Sequence, residues 1–110
     1  MPTFIITANY THEAVKGLMK SAGGRRAVIA GIVEKAGGTL KDMYITTGAS
    51  DVLAICDMPD GADAIAVNMA IGASGGATNF NTIRAWSPEE FEDIAAKAAD
   101  IVASYTMPGS

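Results

Sequence analysis

Residues 39–57 read TLKDMYITTGASDVLAICD, two β-rich runs separated by small residues. Thr39 to Thr47 has the composition of a strand, and Gly48-Ala49-Ser50 is short and turn-like. Asp51 to Asp57 is a second strand, so the pair is a hairpin with no helix between its arms. Val52-Leu53-Ala54-Ile55-Cys56 is apolar on both faces and is expected to be central in its sheet. In the first arm, alternation places Leu40, Asp42, Tyr44 and Thr46 on one face. Lys41, Met43, Ile45 and Thr47 fall on the other. Neither of these faces is purely apolar.

The segments on either side of the hairpin are helical. Upstream, Val15, Leu18 and Met19 follow helical spacing after a Thr11 cap, with Glu13 in the first turn. Gly23-Gly24 interrupts that segment, and Val28, Ile29, Ile32 and Val33 resume it as far as Gly37-Gly38. One kinked helix and two separate helices both fit this pattern. Phe4 to Tyr10 is a first strand, rich in β-branched and aromatic residues. Downstream, Ala62 to Ala73 is a helix of small residues, and Gly72 to Gly76 dissolves it into a connection. Ala77 to Trp86 is a fourth strand, with Phe80, Thr82, Arg84 and Trp86 on one face and Asn79, Asn81, Ile83 and Ala85 on the other. Ser87-Pro88-Glu89-Glu90 is a capping box opening a last helix that runs to about Ser104. The order β-α-β-β-α-β-α predicts a ferredoxin-like α+β sandwich with an added C-terminal helix. Residues 1–104 are read as one domain and residues 105–110 as a tail. Helices would cover one sheet face only. The mixed and apolar strands imply that the other face is covered as well. A second copy of the chain, packed sheet to sheet, is the simplest cover.

Composition narrows the function classes. The chain has 110 residues, 49% of them apolar and 18% charged, enough to build a core without staples. Eight basic and twelve acidic residues leave a net charge of −4, which speaks against nucleic-acid binding. One cysteine excludes an internal disulfide, and one cysteine with one histidine leaves no ligand-spaced metal cluster. Neither a metal nor a cofactor is expected. MPTFIITANY has no basic stretch ahead of its apolar run, so no secretory signal is expected. No run approaches the roughly 20 apolar residues of a membrane helix, which predicts a cytoplasmic protein without a membrane partner.

The stretches MPTFIITANYTHEAVKG, Arg25-Arg26, Gly37-Gly38-Thr39-Leu40, Tyr44 to Val52, Asp57-Met58-Pro59-Asp60 and Arg84 to Phe91 resemble the GYD-domain family. The similarity covers about residues 1–95. In the signature hairpin Gly48 and Asp51 match, and Ser50 stands where the family has its tyrosine. The resemblance implies a dimeric α/β barrel. It leaves activity open, because related barrel families include cofactor-free monooxygenases, isomerases, haem proteins and stress-response proteins.

The candidate site residues are polar groups on the expected strands: Asp51, Tyr44, Thr46, Asn81, Tyr10 and Arg84. Asp51 opens the central strand. It is either a carboxylate at the rim of a pocket or a turn residue bonding nearby backbone N–H groups. Tyr44, Thr46 and Asn81 could line a small-molecule pocket between sheet and helices, or satisfy one another across a dimer interface. His12 is either a base or an exposed helix-start residue. Arg25 and Arg26 could hold an anion together with a helix N-terminus, or form surface ion pairs with Glu34 or an aspartate. Cys56 reads as a buried strand residue rather than a reactive thiol. Asn68 stands out in an Ala-rich helix, and if it faces the sheet it needs a partner. Without an evident nucleophile–base pair the catalytic residues are unassigned. The expected function is small-molecule binding by a homo-oligomer. A cofactor-independent monooxygenase- or isomerase-like enzyme and a purely structural assembly module are the alternatives.

Overall fold

The computed structural model describes residues 1–109. Eight elements follow in the order β1 (Thr3–Tyr10), α1 (His12–Lys20), α2 (Arg25–Lys35), β2 (Thr39–Ile45), β3 (Val52–Asp57), α3 (Gly61–Ala73), β4 (Ala77–Ala85) and α4 (Pro88–Ser104). The four strands form one antiparallel sheet in the order β2-β3-β1-β4. This is the arrangement of a ferredoxin-like α+β fold, with α1 and α4 as additions. The segment before the hairpin is two helices: Ser21 ends α1, and Gly24, at φ 77°, starts α2. Tyr105–Gly109 carry no regular structure, and Ser110, the end of the expected tail, lies outside the described residues.

Local chemistry sets the helix ends. The Thr11 hydroxyl accepts from the Ala14 N–H at 3.1 Å and donates to the Gly75 carbonyl at 2.6 Å. One side chain thus caps α1 and ties down the glycine connection after α3. At the end of α2, Gly37 takes φ 87°, its N–H donates to Glu34 O, and the Gly38 N–H donates to Val33 O. That is a Schellman closure. The capping box of α4 is complete. Ser87 Oγ accepts from the Glu90 N–H at 3.1 Å, and the Glu90 carboxylate accepts from the Ser87 N–H at 2.8 Å. These bonds hold the Glu90 carboxyl below its usual pKa.

The core lies between the sheet and α2 and α3. Phe4, Ile6, Val33, Cys56, Met58, Ala64 and Val67 form it. Each larger side chain buried there contributes about 1.5–3 kcal/mol. Ala64 is fully buried, and its size lets α3 approach the strands closely. The alternation expected in β2 breaks. A register shift between Leu40 and Asp42 makes Lys41 an extra residue, a β-bulge. Leu40 therefore pairs with Cys56 and joins the core-facing side, while Tyr44 pairs with Leu53 and faces away. Leu40 and Tyr44 do not share a face.

The helix α4 buries no residue, and Trp86–Gly109 are exposed throughout. The molecule measures 64 × 29 × 22 Å with a radius of gyration of 18.1 Å, against about 13 Å for a compact domain of this size. No helix among the described residues is long and apolar enough to cross a membrane.

Candidate functional site

The helix α2 packs on β2, α3 packs on β4, and α1 lies against β1. The central strands β1 and β3 are therefore left incompletely covered. A cavity of about 590 Å³ occupies that space. Ile6 and Ala8 of β1 and Val52 and Ala54 of β3 form its floor. Ile29 and Ile32 of α2, Ile71 of α3 and Phe80 of β4 line it as well, and α1 adds Ala14 and Leu18. Its size lies within the roughly 300–1,000 Å³ typical of small-molecule sites, and its wall is mainly apolar.

A few polar groups interrupt this lining. Tyr10, at the end of β1, has a buried hydroxyl without a hydrogen-bond partner. Burial raises its phenol pKa, the Arg25 guanidinium lowers it, and the Asp51 carboxylate raises it again. Asn68 donates from Nδ2 to Thr82 Oγ1 at 2.6 Å, and its Oδ1 is buried and unpartnered. Turning the amide over would leave the other end unpartnered instead. Arg25, the first residue of α2, is half-buried at the cavity and makes no ion pair among the described residues. Its neighbour Arg26 pairs with Asp42 at 3.6 Å and donates to the Met43 carbonyl. Arg26 thus forms the surface ion pair with an aspartate. Cys56 also lines the cavity, 1% exposed, and burial, reinforced by the Asp57 carboxylate, pushes its thiol up to about 11. Such a thiol stays protonated at neutral pH and is a poor nucleophile.

Of the six residues expected to form the site, the structure brings only Tyr10 to the cavity. Tyr44 pairs with Leu53, and Asn81 with Thr7, on the opposite, helix-free face. Both are exposed there. Thr46 closes the hairpin, its hydroxyl donating to Ser50 O at 2.6 Å and its N–H donating to Asp51 O at 2.9 Å. The Asp51 carboxylate does not bond its own turn. Its Oδ2 accepts the Tyr10 N–H at 3.0 Å, and the Asp51 N–H donates to Ala8 O. Arg84 lies over the Trp86 ring at 4.3 Å and donates to the carbonyls of Thr3 and Ala85. His12 is exposed at the start of α1. No group of three or more potential metal ligands occurs among the described residues.

Arg25 and Asn68 carried sequence signals, an arginine pair at a helix start and an asparagine among alanines. The apolar walls carried none that separated a cavity from a filled core.

The fold recurs in a solved structure of low identity. TTHA0845 from Thermus thermophilus matches with a TM-score of 0.52 and 16% identity, over 79% of this chain and 95% of that one. FFRP-DM1 matches with a TM-score of 0.49 and 17% identity, over 78% of this chain and all of that one. No curated protein sequence matches. The GYD domain family model matches residues 4–95, from the first strand through the hairpin and into the first turns of α4. That span carries all four strands and every wall of the cavity, and by it this chain belongs to the GYD domain family.

Proposed function

We propose that this protein binds a small, mainly apolar molecule between its sheet and helices. One observation carries the reading: a cavity of about 590 Å³ lies where a domain of this size would ordinarily pack its core. Protein interiors are close-packed, and an unfilled apolar space forfeits dispersion contacts around its whole lining. A ligand restores them. Binding is favoured over catalysis, because Cys56 is a protonated thiol and His12 lies outside the lining.

The test uses the neutral fluorophore N-phenyl-1-naphthylamine. Wild-type protein is expected to enhance its emission saturably, near one probe per chain. Ala54→Phe places a ring on the cavity floor and is expected to abolish the enhancement while circular dichroism stays unchanged. A folded wild type that gives no saturable enhancement refutes the reading.

Assembly is a second reading, supported by a separate observation. The helix-free sheet face displays Ile5, Leu53, Ile55 and Ile83 with Tyr44, and α4 displays Phe91, Ile94, Ile101 and Val102. Ile83 is 44% and Phe91 59% exposed. A second copy of the chain is the proposed cover for these surfaces, and it is compatible with ligand binding inside each protomer.

A further inference from the structure

The cavity's few polar groups bear on the kind of molecule it takes. Arg25 is the one charged residue in its lining. It has no ion-pair partner among the described residues, whose ion pairs are Arg26–Asp42 and Lys41–Asp57. Its guanidinium makes no hydrogen bond to a side chain or carbonyl of the described residues. An arginine beside an apolar wall gives up hydration, and it ordinarily recovers the loss by pairing. Tyr10 lies close enough to feel the Arg25 charge, and its buried hydroxyl lacks a partner. The first turn of α2, which Arg25 opens, contains no acidic residue, and Gly24 provides no side-chain cap. Arg25 and the start of α2 therefore both contribute positive potential at that corner. The carboxylate of Asp51 also acts on Tyr10, but it is engaged by the Tyr10 backbone N–H and forms no ion pair with Arg25.

We infer that the ligand is an apolar carboxylic acid, its chain or ring system in the cavity and its carboxylate paired with Arg25 and the Tyr10 hydroxyl. A planar carboxylate matches the guanidinium fork, which donates two parallel hydrogen bonds to it. A phenol donates readily to the same anion. The apolar remainder meets Ile6, Ile29, Val52 and Phe80. This inference rests on the cavity being a ligand site and adds the chemistry of the head group.

The experiment compares octanoate with 1-octanol by calorimetry at pH 7.5, using wild type and Arg25→Gln. The two probes share a chain and differ in head charge. Wild type is expected to bind octanoate at least tenfold more tightly than octanol. Arg25→Gln is expected to lose that preference while keeping its octanol affinity, which also reports that the cavity is intact. Octanol binding without an octanoate preference overturns the anionic head and leaves the apolar site standing. A preference that persists in Arg25→Gln also overturns it. If neither probe binds, both the inference and the ligand site on which it rests fail.

Discussion

The Asp51 carboxylate meets the Tyr10 N–H at 3.0 Å, across 41 positions of sequence, beside the register shift between Thr7 and Asn9 of β1. The β1–β3 ladder ends at the pair Ala8 and Val52, and Asp51 supplies the acceptor for the next strand N–H beyond that end. It thereby fixes the end of β1 that carries the Tyr10 ring to the cavity. In the proposed ligand site Asp51 is a positioning residue that acts through Tyr10. A charge-assisted bond of this kind contributes about 2 kcal/mol. Asp51→Ala is expected to lower stability by that amount, roughly 10 °C in Tm. Asp51→Asn keeps an acceptor oxygen and should recover most of the loss. Thermal unfolding of both variants is the check, and an unaltered Asp51→Ala would mean that the strand end holds itself. The sequence made Asp51 a candidate but suggested only its own turn or a pocket rim as partners. Its real partner belongs to the strand beside it, a neighbour that pairing establishes and local sequence does not reveal. Tyr44 and Asn81 illustrate the same limit. Their strands were legible, but the side of the sheet each residue took depended on register and, for Tyr44, on the bulge at Lys41.

The connection from α2 into β2 is a tight joint. A Cβ on Gly38 would lie 2.4 Å from the Asp57 carbonyl oxygen and 2.5 Å from the Met58 sulfur. Met58 is completely buried, and its own N–H is bonded to the Pro2 carbonyl, so neither neighbour has room to yield. Gly38→Ala is expected to cost about 3 kcal/mol in urea unfolding, at the upper end for overpacking. Gly37→Ala strains a positive φ without a comparable backbone clash and should cost about 1 kcal/mol. Equal losses would mean that helix closure, rather than close approach, sets the requirement. At this scale the chain was largely readable. The glycine pair after α2, the hairpin and the capping box of α4 are local signals, and each produced the expected element. The β2 bulge was not readable, because Lys41 is ordinary in a strand and its extra position exists only relative to β3. The cavity was hidden for a related reason. Val52, Ala54 and Ile32 have the composition of a packed core, and only the placement of α2 on β2 and α3 on β4 leaves space above them.

Over the whole molecule, apolar surface is divided unevenly. The helix-covered side buries its core, whereas the other sheet face and the full length of α4 remain open. The α4 stripe was plain from its spacing, but spacing reports that a helix has an apolar face and not what lies against it. In a chain of this size, Phe91, Ile94, Ile101 and Val102 would normally return to the core, yet the 64 Å length shows that α4 extends from it instead. A seventeen-residue helix gains most of its stability from packing, so an unpacked α4 is a costly arrangement for an isolated chain. A second copy offsets that cost if it covers both surfaces, with an interface near the roughly 1,600 Å² of a stable complex. The sheet face is expected to be its centre, because its residues are already held rigid by the ladder. Ile83→Glu puts a charge there without touching the cavity lining, and should weaken self-association at least a hundredfold, about 2.7 kcal/mol. Ile101→Glu, on α4, should weaken it less. Sedimentation equilibrium over a range of concentrations measures both. If the Ile101→Glu effect is the larger, α4 is the anchor and the sheet face a lesser contact. A wild type that stays monomeric throughout removes the second copy altogether and leaves the cavity to account for the protein's role by itself.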